Sequence, residues 1–111
     1  MQVLKLIAAL GTIATGLYAM FAPKAIEGFT GLTAPGSRGI TEFRSIFGGL
    51  FVALGAAPIV FGGADTYRML GIGYLVIGAV RLVSMFVDQS LVRSNWISLA
   101  IEIVFGVILV I

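Results

Sequence analysis

Apolar positions fall into four long blocks along this chain, each broken by a short polar or glycine-rich interval. The first block covers roughly 2–21, the second 40–61, the third 65–87 and the fourth 92–111. About 20 apolar residues in a helix cross the hydrocarbon core of a bilayer, so the pattern predicts four membrane-spanning helices. The fold class expected is all-α, an integral membrane four-helix bundle in a single transmembrane domain over residues 1–111.

The intervals carry ordinary punctuation. Pro23 disfavours helix at the residue before it and ends the first segment. The longest polar stretch follows, and Lys24 to Phe29 within it reads as a short interfacial turn of helix. Gly31, Pro35, Gly36 and Gly39 mark loop. Thr41 is the expected N-cap of the second segment, with Glu42 in its first turn at the positive end of the helix dipole. Pro58 lies near the far end of that segment, where a kink or stop costs least. Asp65 or Thr66 is the expected cap of the third segment, and Trp96 reads as an interface residue of the fourth. A cleaved signal peptide with Lys5 as its charged region is the alternative for the first segment. The expectation is a retained span whose Lys5 snorkels to the interface.

Composition reinforces the membrane reading. Hydrophobic residues make up 59% and charged residues 11%, against about 25% charged in a typical soluble domain. The net charge is +2, but the seven basic residues are scattered singly, with none of the basic stripe that nucleic-acid binding needs. Cysteine and histidine are both absent, which excludes disulfides, Cys- or His-ligated haem, iron–sulfur clusters and ordinary zinc sites. No cofactor and no metal are expected. Lys24, Arg38 and Arg93, with Arg44 close by, outweigh Lys5, the N-terminal amine and Arg68 on the opposite side. The positive-inside rule then puts both termini on the periplasmic side of a bacterial inner membrane.

Few charges interrupt the spans, and they concentrate the candidate chemistry. Ionised groups cost roughly 2.5–3.5 kcal/mol each at the centre of an inserted helix, so they call for partners. Arg81 lies about 10 Å below Asp88 along the third segment, and Glu102 about 9 Å below Trp96 along the fourth, at 1.5 Å per residue. Those depths match, so Arg81 and Glu102 are expected to meet. Tyr74, Gly78, Arg81, Ser84 or Met85, and Asp88 share one helical stripe, and Asn95, Ser98 or Leu99, Glu102, and Phe105 or Gly106 share another. Glu42, Ser45 and Gly49 form a third, which brings Glu42 and Arg44 to the same rim. The candidate site is therefore Glu42, Arg44, Ser45, Tyr74, Arg81, Ser84, Asp88 and Glu102. Gly11, Gly16, Gly48, Gly49, Gly71 and Gly78 are expected to let helix backbones approach closely in lipid.

The motifs Glu42-x-Arg44-Ser45-x-x-Gly48-Gly49 and Gly78-x-x-Arg81-x-x-Ser84-x-x-x-Asp88, with Glu102 in the last span, carry a resemblance. The chain resembles an uncharacterised bacterial family of four-span proteins, a domain of unknown function in the neighbourhood of the DoxX-like membrane proteins. That resemblance implies a four-helix membrane bundle with these charges at its heart, and it implies no reaction. Gln89 stands where the family pattern leads us to expect glycine. Small multidrug-resistance transporters share the length and span number but carry a glutamate in the first span, and this first segment has no acid.

The functional expectation is a polar intramembrane pocket for a small or lipid-like ligand, leaning to a non-catalytic protein. A structural or accessory subunit of a larger membrane complex is the alternative, with the charges fixing helix register only. An oligomeric small transporter ranks third, because all the placed membrane charges lie in one half. The partners expected are the lipid bilayer, a small amphipathic ligand or other membrane subunits, with a homo-oligomer open.

Overall fold

The computed structural model describes residues Met1–Ile111 and contains helices only. They are α1 (Gln2–Phe21), α2 (Ala25–Thr30), α3 (Ser37–Phe61), α4 (Ala64–Val87) and α5 (Arg93–Val110). All but α2 are long and apolar enough to cross a membrane, with mean hydropathies between 1.6 and 2.0. Most of their large apolar side chains are exposed, including Val60, Met69, Val83 and Val104. In water such a surface would be a severe liability; in a bilayer it is the surface that faces solvent.

The bundle is built from two antiparallel pairs, α1 with α3 and α4 with α5. Both pairs close on glycines seven residues apart. A Cβ at Gly48 would lie 2.9 Å from Met20, and one at Gly55 only 2.6 Å from the Ala9 carbonyl oxygen. On the other side, a Cβ at Gly71 would lie 2.8 Å from Leu109, and one at Gly78 would press on Ile103 and Glu102. A repeat of seven keeps one seam facing the partner helix, as in left-handed packing. The pairs join where α1 meets α5, with Gly11 against Phe105, and where α3 meets α4 next to their tight Gly62–Gly63 connection. Gly62 takes a left-handed conformation (φ 74°) that terminates α3 three residues beyond Pro58. The small core contains Ala8, Ala9, Tyr67, Leu70 and Leu109.

Several local expectations change. Helix α3 starts at Ser37, three residues before the apolar block, and its N-cap is Gly36 rather than Thr41. Thr41 instead returns its hydroxyl to the Ser37 carbonyl inside the helix. The N-cap of α4 is Gly63 in extended conformation, not Asp65 or Thr66. Lys5 does not snorkel: it is buried on the inward face of α1 with Ala8, Ala9, Thr12, Gly16 and Ala19. Gly49 meets no neighbouring helix, whereas Gly55, not singled out from the sequence, and Gly106, expected only as a stripe position, do.

The largest departure is in α3, where Phe43–Leu50 is π-helical. A π turn closes five residues on rather than four, so each residue advances less around the axis than the ~100° of an α-helix. Over eight residues the stripe expected from Glu42 is carried to a different face. Phe43 and Gly48, five apart, are the residues of this segment that are buried. Ser45 is exposed instead.

Candidate functional site

Arg81 and Glu102 meet between α4 and α5. The Arg81 Nε donates to both carboxylate oxygens of Glu102, at 2.8 Å and 3.1 Å, and Nη2 donates to Oε2 at 2.8 Å. The third guanidinium nitrogen, Nη1, donates to Asn95 Oδ1 at 2.9 Å. Asn95 in turn donates from Nδ2 to the Ser90 carbonyl at 2.9 Å, which anchors the network to the α4–α5 turn. Glu102 lies midway along α5, with its side chain 10% exposed, and the Arg81 side chain is 30% exposed. A planar fork on a carboxylate is the geometry in which arginine holds an acid best.

The pairing follows from packing. Gly78 lies one turn below Arg81 and against the base of the Glu102 side chain, so α5 can approach closely there. Asn95 and Glu102 are seven residues apart on α5 and face the same seam, which is the sequence signal that marks Asn95 as a partner.

Around the guanidinium lies an open cavity of about 480 Å³. Arg81, Ser84, Asp88, Ser90 and Asn95 form its polar wall, and Val80 and Ile77 its apolar one. Three of the five Arg81 N–H groups are used by Glu102 and Asn95, which leaves two without a protein partner. Asp88 forms no ion pair. It caps the C-terminal end of α4, where the helix dipole favours a cation rather than an acid.

A second, narrower cavity of about 200 Å³ lies between α3 and α4. Its walls are nearly all apolar, with Phe51, Leu54 and Pro58 on one side and Met69, Gly73 and Ile77 on the other. At its floor Thr12 and Tyr74 share a hydrogen bond of 2.5 Å. Thr12 donates its only hydroxyl proton to the Ala8 carbonyl, so Tyr74 must be the donor in that pair. The Tyr74 ring stands edge-on to Phe105, with centroids 5.5 Å apart.

The expected α3 contribution does not join this site. Glu42 pairs with Arg38, one turn earlier on the same helix, and both side chains are largely exposed. Arg44 and Ser45 are exposed, and Arg44 forms no ion pair. The physical reason is partnership: the first half of α3 packs on α1, away from α4, and the π-helical turns rotate its polar residues outward. Of the eight residues expected together, Arg81, Ser84, Asp88 and Glu102 converge, and Tyr74 sits in the adjoining cavity. No three acidic groups converge in a way that could hold a metal ion.

The match to known families now has a structural frame. A family described as a domain of unknown function, DUF4345, matches residues 1–111. The chain belongs to the DUF4345 family. The match over the whole chain agrees with the resemblance carried by the charged motifs, and its description names no reaction or ligand. No match was found among curated proteins or among solved structures.

Proposed function

We propose that this DUF4345 protein is a small four-span membrane protein whose α4–α5 face holds the polar head of a small, lipid-like ligand without transforming it. The observation that carries the reading is the partly exposed Arg81 fork on a cavity wall, held by a deeply placed Glu102 and with two N–H groups left without a protein partner. Both partners of the ion pair then lie within the hydrocarbon region, where unneeded charge is costly and marks a functional site by default. Glu102 aims Arg81, while Ser84 and Asp88 supply further hydrogen-bonding groups on the same wall.

One observation favours a different reading. Both Glu102 oxygens are already occupied, and a saturated pair can serve only to fix helix register. On that second reading the protein is a structural or accessory subunit, and no ligand is needed.

Glu102→Gln separates the two. The amide keeps a carbonyl acceptor for Arg81, so the helices stay folded, while the charge that orients the guanidinium is gone. Native mass spectrometry of the purified protein would show a retained small molecule in the parent chain and its loss in the variant. An equal ligand load in both chains, or no ligand with stable capture of a larger membrane complex, would favour the structural role.

A further inference from the structure

Two buried polar side chains lie outside the Arg81 network, at the opposite rim of the bundle. Lys5 is the fourth residue of α1 and Tyr67 the fourth of α4, and they are 8% and 5% exposed. Helices α1 and α4 run in the same direction, and further along them Tyr74 reaches across to Thr12. Lys5 and Tyr67 each stand seven residues before that pair. Seven residues make nearly two full turns, so the faces that join Thr12 to Tyr74 also set Lys5 opposite Tyr67. Side chains on a helix tilt toward its N-terminus, so both tips lean to the rim where α1 and α4 begin.

Unlike Thr12 and Tyr74, these two find no partner in the protein. Lys5 enters none of the ion pairs, and neither its amino group nor the Tyr67 hydroxyl makes a hydrogen bond. Every fully enclosed polar side-chain atom is partnered, so both tips keep an opening to the outside. Their chemistry is that of donors: lysine offers N–H groups only, and the phenol offers its O–H. The first backbone N–H groups of α4, at Ala64 and Asp65, also lack an acceptor, and no side chain caps them. The positive end of the α4 dipole therefore faces the same rim. The acid there, Asp65, is fully exposed and is held by Arg68, so no carboxylate answers Lys5.

We propose that Lys5 and Tyr67 form an oxyanion subsite that takes the phosphate of an anionic phospholipid. Helix α1 is about 30 Å long at 1.5 Å per residue, the thickness of the hydrocarbon core. Lys5 then begins about 5 Å inside the boundary, within reach of the phosphate layer. Its amino group donates to one phosphate oxygen and the Tyr67 hydroxyl to another, while the acyl chains stay in the bilayer. A cation without an acid beside it selects a head of net negative charge over a zwitterion. The subsite is separate from the Arg81 cavity and stands whether or not that cavity holds a ligand.

The test uses the full chain in nanodiscs of equal phosphatidylcholine and phosphatidylglycerol. Native mass spectrometry counts the lipids that stay bound when the bilayer is stripped away. One phosphatidylglycerol per chain is expected to remain, in excess over phosphatidylcholine. Lys5→Met keeps an apolar stem of similar length and should lower that excess by about fivefold. Lys5→Arg should retain it, and Tyr67→Phe, which removes only the hydroxyl, should lower it by about threefold. Arg93→Gln, at an exposed basic residue of the other rim, should leave it unchanged. Circular dichroism reports whether each variant stays helical.

Equal retention of the two lipids would overturn the choice of an anionic head. A preference untouched by Lys5→Met and Tyr67→Phe, or lowered as much by Arg93→Gln, would overturn the subsite and leave only general attraction to basic residues. Displacement of the lipid by added inorganic phosphate, with the same dependence on Lys5, would overturn the lipid and assign the subsite to the free anion.

Discussion

The two helix pairs face the same problem, charge on a long apolar helix, and solve it differently. In the α4–α5 pair, Arg81 and Glu102 sit on facing helices and satisfy one another through three hydrogen bonds. In the α1–α3 pair, Glu42 has no charge opposite it on α1, so it turns back to Arg38 on its own helix and stays exposed. The residue types are the same and so is the rim. What differs is whether the neighbouring helix presents a partner. Charge depth alone therefore does not define a site; depth together with a facing partner does.

The sharpest way to break that comparison is to remove one acid from each pair. Glu102→Ala should destabilise the bundle by about 3–5 kcal/mol, because it strands a partly buried guanidinium. The double variant Arg81→Met/Glu102→Leu should recover most of that loss, since an apolar pair is at home between lipid-embedded helices. Unfolding in micelles with increasing dodecyl sulfate, followed by circular dichroism, gives both values. A single variant within about 1 kcal/mol of the parent would show that the pair contributes little and that its distances overstate its role.

Much of this was legible before any coordinates. Hydropathy placed the four long helices, since span length is a property of each segment alone. Rise per residue placed Arg81 and Glu102 at one depth, and their stripes turned them toward each other. Glu42 and Arg44 were misplaced for two physical reasons. Which helix packs on which is not written in the period of any single helix, and the π turns of Phe43–Leu50 broke the period on which the stripe depended. The seven-residue glycine spacings, Gly48 with Gly55 and Gly71 with Gly78, were the available sign of pairing. Lys5 was read as an end-of-helix charge, although its place three and four residues before Ala8 and Ala9 put it on their face.

A smaller effect is expected at the turn that sets the register of α5 against α4. Gln89 has φ 54°, in the left-handed region where a Cβ is strained. Glycine is the residue that takes this conformation without strain. Gln89→Gly relieves about 1–2 kcal/mol of strain and gives back about 0.5–1 kcal/mol in unfolded-state entropy. The net expectation is a gain of about 0.5–1 kcal/mol in the same unfolding titration. A loss would mean that the Gln89 side chain makes a compensating contact and that the turn is not strained.

The smallest effect belongs to the α3 side. Arg38 and Glu42 are four residues apart on an exposed helical turn, with side chains 79% and 51% exposed. Water and mobile ions reach both groups, and ordering two long side chains costs entropy that their attraction barely offsets. A double-mutant cycle on Arg38→Ala and Glu42→Ala should give a coupling below about 0.5 kcal/mol that fades as salt is raised. The Arg81–Glu102 coupling should be several-fold larger and change little with salt, because its groups are shielded from the ions. If the Glu42 coupling were instead large and insensitive to salt, Glu42 would have to sit in an occluded environment. The first half of α3 would then lean on α4 rather than on α1.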